Sequence, residues 1–98
     1  MGARRRKKPA DPLPRAVALL AAGEWQEAHA IVQQDESALA AWLHGIVHTL
    51  EGDLGNARYW YRKARRPFPG PEAVRKEIAA ARRAVQNRRS DDVPRLRR

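Results

Sequence analysis

Apolar residues recur along this chain at spacings of three and four, broken by Gly, Pro and acidic turn signals, and nowhere alternate with the period of two of a half-buried strand. The pattern predicts an all-α fold. Asp11-Pro12 reads as a cap followed by proline at the first helical position, where its missing N–H costs nothing, and Leu13, Val17 and Leu20 follow on one face until Gly23 stops the helix. A second helix is expected from Glu24, presenting Trp25, Ala28, Ile31 and Val32, with Asp35-Glu36-Ser37 as the next break. The clearest element spans residues 38–51, where Leu39, Trp42, Leu43, Ile46, Val47 and Leu50 form one continuous arc. Gly52 is suited to the left-handed position that ends this helix, and Asp53 to capping the next through the amide near Asn56. That fourth helix is expected over about 54–66, with Leu54, Ala57, Tyr61 and Ala64 on one stripe and Trp60 at its border. Pro67-Phe68-Pro69-Gly70-Pro71 ends it, because no helix crosses such a run. A fifth helix starts at Pro71 with a narrow stripe of Val74, Ile78, Ala81 and Val85, the profile of a cap.

The predicted architecture is two antiparallel helical hairpins plus a C-terminal capping helix, occupying residues 11–89 between a basic disordered arm (1–10) and a basic disordered tail (90–98). Gly23-Glu24-Trp25-Gln26-Glu27-Ala28 and Gly52-Asp53-Leu54-Gly55-Asn56-Ala57 share a register of glycine, acid, large apolar residue, two spacers and alanine. Glycine turns the chain, the acid caps the following helix, and alanine permits close helix approach. The second hairpin resembles a tetratricopeptide repeat in Gly45, Gly52-Asp53, Ala57, Tyr61, Ala64 and Pro69, over one unit of about 34 residues. It departs from that pattern at Ala41 and Trp42 and at His44 and His48, and the first hairpin is a degenerate copy. A second resemblance, over residues 24–66, is to small bacterial proteins without an assigned activity that carry strings like Glu27-Ala28-His29, Trp42-x-His44-x3-His48, Glu51-Gly52-Asp53 and Asn56-Ala57-x-Tyr59-Trp60-Tyr61. The first resemblance implies a protein-interaction module, the second a bacterial, cytoplasmic setting.

Composition narrows these expectations. The 98 residues carry 20 Lys and Arg against 11 Asp and Glu, a formal charge of +9, with no cysteine. Disulfides and cysteine-ligated zinc are thereby excluded. The longest apolar run, Ala16 to Ala22, is far too short to span a bilayer. Pro9, Pro12 and Pro14 break any secretory leader after the basic start, so a cytoplasmic location without membrane association is expected. The charge is uneven. Residues 1–8 hold five basic groups and no acid, residues 9–61 hold Arg15 and Arg58 against seven acids, and residues 62–98 hold thirteen basic groups against four acids. An acidic body therefore lies between basic ends, which would steer the chain toward an acidic partner.

A groove lined by Leu39, Trp42, Ile46 and Thr49 would dock a peptide or partner helix, with self-association as the other outcome; ordinary core is the competing reading of the same residues. On the fourth helix Tyr59, Lys63 and Arg66 share the face opposite the apolar stripe, where cations neutralise phosphates and an aromatic ring stacks a base, making RNA or the ribosome the alternative partner. His44, His48 and Glu51 occupy positions i, i+4 and i+7, a spacing from which imidazoles reach one metal ion, with His29 approaching from the preceding helix. Hydrogen-bonded interface histidines are the plainer alternative. Nucleophilic catalysis has no support, since cysteine is absent and Ser37 and Ser90 lie in a break and in the tail; Gly52-x-x-Gly55 is a turn rather than a phosphate loop. The expectation is a non-enzymatic module without a cofactor.

Overall fold

A computed structural model describes residues 11–91, with side chains through Arg88. The expected arm and the end of the expected tail lie outside these residues. Five helices follow in order: α1 (Leu13–Ala21), α2 (Trp25–Val32), α3 (Ala38–Glu51), α4 (Leu54–Lys63) and α5 (Val74–Asp91), the last preceded by a 3-10 turn over Pro71–Ala73. No strand occurs among the described residues.

Local chemistry sets most of the boundaries. Pro12 rather than Asp11 holds the cap position of α1, and Asp11 Oδ1 accepts from the Leu13 amide at 3.1 Å. Asp35 Oδ1 accepts from the Ser37 amide at 2.8 Å, and Ser37 Oγ in turn accepts from the Ala40 amide at 3.1 Å, satisfying an orphan donor at the start of α3. Asp53 Oδ1 does the same for Asn56 at the start of α4. Gly23 and Gly52 adopt φ of 82° and 93°, and the amides of Glu24 and Asp53 reach back to the carbonyls of Leu19 and His48. These contacts close α1 and α3 with the same left-handed cap. The end of α4 differs from expectation: Lys63 is its last residue, and Arg65 takes the left-handed position at φ 64°, with the Arg66 amide donating to the Tyr61 carbonyl at 2.9 Å. The chain there uses a glycine-type cap with an arginine in it. α5 runs to Asp91, past the point where a tail was expected to start.

The stripes read from the spacing face the core, but Trp25, Ile31, Val74 and Ile78 are only partly buried, and Leu54 lies outside the core cluster. α1 packs on α2, α2 on α3 and α3 on α4, while α5 lies against both α1 and α3. α3 is the centre of the molecule: every residue from Ala40 to Thr49 is buried, which a two-sided rather than one-sided burial requires. α3 and α4 approach closely at Gly45. A methyl group there would stand 2.5 Å from Cδ1 and 2.8 Å from Cε1 of Tyr61, so glycine is what lets the Tyr61 ring lie on the α3 backbone. Glu77 of α5 closes the other side, its Oε1 accepting both from Trp42 Nε1 at 3.0 Å and from the Tyr61 hydroxyl at 2.7 Å. Burial, then the hydrogen bond and charge of Glu77, push the Tyr61 hydroxyl well above the ordinary phenol range, so it remains a donor. Near the far end of α5, Arg88 lies 3.7 Å from Asp11 and 3.9 Å from Asp35, tying α5 to the start of α1 and to the α2–α3 connection.

Candidate functional site

The three candidate regions of the sequence have different fates in the fold. The peptide groove is closed. Trp42 is 3% exposed and Ile46 fully buried; Thr49 is buried with its hydroxyl donating to the Gly45 carbonyl at 2.8 Å, and Leu39 is half-buried. Trp42 is held by Glu77 of α5, and the Arg66 guanidinium lies 3.4 Å over its ring. The expected docking surface is therefore interior, because α5 folds back onto α3 and supplies the apolar and polar contacts that a peptide would have made.

The outer face of α4 is open. Tyr59, 44% exposed, is the large apolar side chain left most accessible among the described residues. Lys63 Nζ stands 5.8 Å from the Tyr59 ring centre and 5.6 Å from that of Trp60. Arg66 does not join them, since it packs on Trp42 beyond the helix end. Arg58 lies 5.4 Å from the Phe68 ring. Among the described residues, no ion pair engages Arg58, Arg62, Lys63, Arg65 or Arg66.

The histidines converge. His44 and His48 sit one turn apart on α3, and α2 presents His29 to both. Nε2 of His29 and Nε2 of His44 are 3.1 Å apart, and the ring centres lie 4.8 to 5.4 Å from one another. Glu51, one further turn along α3, holds His48 Nδ1 at 2.7 Å. Burial, reinforced by the charges of His29 and His48, lowers the His44 pKa from 6.5 to about 4, so this ring is neutral at pH 7. Trp60 completes the arrangement by stacking on His44, with ring centres 3.8 Å apart and planes 7° from parallel. Its role was invisible in the sequence, where Trp60 only bordered an apolar stripe. The close approach of Gly45 to Tyr61 places the preceding residues, His44 and Trp60, face to face, and this register is the signal that would have revealed it.

Beside the stack an open cleft of about 670 Å³ is lined by Val32, Ser37, Ala41, His44, Trp60 and Lys63 among others. It opens onto His44, at the edge of the histidine cluster. No described helix is long and apolar enough to cross a membrane. Compared with known proteins, the chain matches no family model, no curated protein and no solved structure.

Proposed function

We propose that this chain is a small non-enzymatic interaction module, its helices arranged as two tetratricopeptide-like hairpins capped by α5, which binds an acidic protein segment on the outer face of α4. The observation that carries this reading is the exposed Tyr59 ring with Lys63 beside it, a cation that has no carboxylate partner among the described residues. An aromatic anchor bordered by an unpaired Lys63 suits a partner that brings an apolar side chain and an acidic group together. The strip is short, since ten helical residues extend about 15 Å. Exposed Glu51 and Asp53 lie at one end of it, and Asp35 and Glu36 line the cleft that Lys63 shares. A short acidic segment matches that length better than a polynucleotide, whose phosphates favour a continuous basic track. RNA is the second reading, supported by the same ring as a stacking platform.

Purification from native cells, with and without nuclease, separates the two. A protein should co-elute in stoichiometric amount with the unaltered chain, survive nuclease and disappear from the Tyr59→Ala, Lys63→Glu double variant, whose changes lie on the surface. Loss of the co-eluting material on nuclease treatment would favour RNA. Identical eluates from the two chains would remove α4 as the contact face.

A further inference from the structure

The chain contains three histidines and no cysteine, and all three imidazoles meet at one place between α2 and α3. One hydrogen bond needs only two of them. Glu51 accepts from His48 Nδ1–H, which fixes the tautomer and leaves a lone pair on Nε2, for which no hydrogen bond is found among the described residues. Between His29 and His44 a single N–H lies between two Nε2 atoms. Of the three Nε2 atoms, two therefore carry lone pairs and only one an N–H. A cation supplies what is lacking, because each ring can turn a lone pair to it while carrying its proton on Nδ1.

We propose that His29, His44 and His48 bind one divalent transition-metal ion of the zinc class, with Glu51 as the outer carboxylate that orients His48. Two nitrogens on one tetrahedral zinc stand about 3.3 Å apart, given metal–nitrogen bonds of about 2.0–2.1 Å. The 3.1 Å between His29 and His44 already matches this spacing. One nitrogen from each of the three residues lies within 4.8 Å of the others, so a side-chain torsion adjustment of His48 of about 1.5 Å closes the set. The carboxylate–histidine–metal order is the usual means of fixing ring orientation and raising ligand basicity, and the stacked Trp60 fixes the plane of His44. An all-nitrogen set selects zinc, cobalt, nickel or copper over magnesium and calcium, which take oxygen ligands. Three protein ligands leave a fourth position for water, and the cleft reaching His44 provides the entry path. Because α2 supplies one ligand and α3 two, the ion joins two helices and stabilises their packing by mass action.

The test uses the full-length chain, stripped of metal and then titrated with Zn²⁺, Co²⁺ or Mg²⁺. One Zn²⁺ should bind per chain with a rise in melting temperature, Mg²⁺ should do neither, and Co²⁺ should give the intense visible bands of a low-symmetry nitrogen site. His29 is half-buried, so His29→Gln should retain the helical circular dichroism while weakening Zn²⁺ at least tenfold. Glu51→Gln should also weaken it by about 10-fold to 100-fold. Asp53 lies beside His48 and Glu51 in a second, more exposed grouping, and Asp53→Asn, which keeps the cap, should leave the affinity unchanged. Absence of stoichiometric binding to the unaltered chain, or an affinity indifferent to His29→Gln, overturns the proposal. An affinity lost on Asp53→Asn instead assigns the ion to the exposed grouping and overturns it equally.

Discussion

Replacing Glu77 tests how α5 is held to the rest of the fold. A single oxygen, Oε1, accepts from both Trp42 Nε1 and the Tyr61 hydroxyl, and both donors belong to side chains that are almost wholly buried. Glu77→Ala removes the acceptor and leaves two donors without a partner. A buried unsatisfied donor costs about 1–3 kcal/mol. Glu77 itself is half-buried, so water reaches part of the vacated space, and the loss should fall in the lower half of the summed range, about 2–4 kcal/mol. Glu77→Gln keeps one carbonyl oxygen in the same place. It loses only charge assistance, about 1 kcal/mol. In a domain of this size each kcal/mol moves the melting temperature by about 4–8 °C, so the two variants should be separated clearly in thermal and urea unfolding. A double-mutant cycle sharpens the comparison: Tyr61→Phe should cost less in the Glu77→Ala background than in the unaltered chain, because there the donor it removes has already lost its acceptor. Equal losses for the Gln and Ala variants, or a loss below 1 kcal/mol for Ala, would refute the shared-acceptor reasoning.

Two further outcomes follow from the same interior. Gly45→Ala gains about 1 kcal/mol of helix propensity but places a methyl 2.5 Å from the Tyr61 ring, and overpacking of about 1–3 kcal/mol outweighs it; urea unfolding should show a net loss, and a stabilised variant would show that α3 and α4 do not approach this closely. His44 is buried against His29, His48 and Trp60 with its pKa lowered from 6.5 to about 4, so between those values the unfolded chain binds a proton that the folded chain rejects. Metal-free stability contributed by this site is complete above pH 6.5 and falls as the pH drops toward 4, by up to about 3 kcal/mol. Urea unfolding across that window should give a steeper pH slope for the unaltered chain than for His44→Gln, and equal slopes would place the acid sensitivity elsewhere.

The elements legible in the sequence were those decided within a few residues. Gly52-Asp53 combines a residue that tolerates positive φ with one that caps the next helix, and both effects are local, so the corner could be placed to the residue. The end of α4 could not be placed so well, because Arg65 occupies a left-handed position that sequence reasoning assigns to glycine or asparagine. The fate of the Trp42 face depended on where α5 docks, a long-range matter that periodicity does not report: the same arc of Leu39, Trp42 and Ile46 serves a groove or a core equally well. For the histidines, the shared sector of His44, His48 and Glu51 followed from helical geometry. The contribution of His29 needed the packing of α2 on α3, and that of Trp60 needed the register of α4.

That register also links the two regions that packing leaves available for chemistry. Tyr59 stands edge-on to Trp60, with ring centres 5.2 Å apart, and Lys63 lies over both rings. Trp60 in turn lies flat on His44, which is 3.1 Å from His29. A contact made on the outer face of α4 therefore bears directly on the ring that fixes the plane of His44, with no intervening helix. The formal charge of +9 suggests a nucleic-acid protein when taken for the whole chain, yet the residues that converge at this junction are aromatic and imidazole rings with one lysine at their edge. How the indole, the phenol and the imidazoles are packed at this junction depends on Gly45, which lets α4 lie against α3.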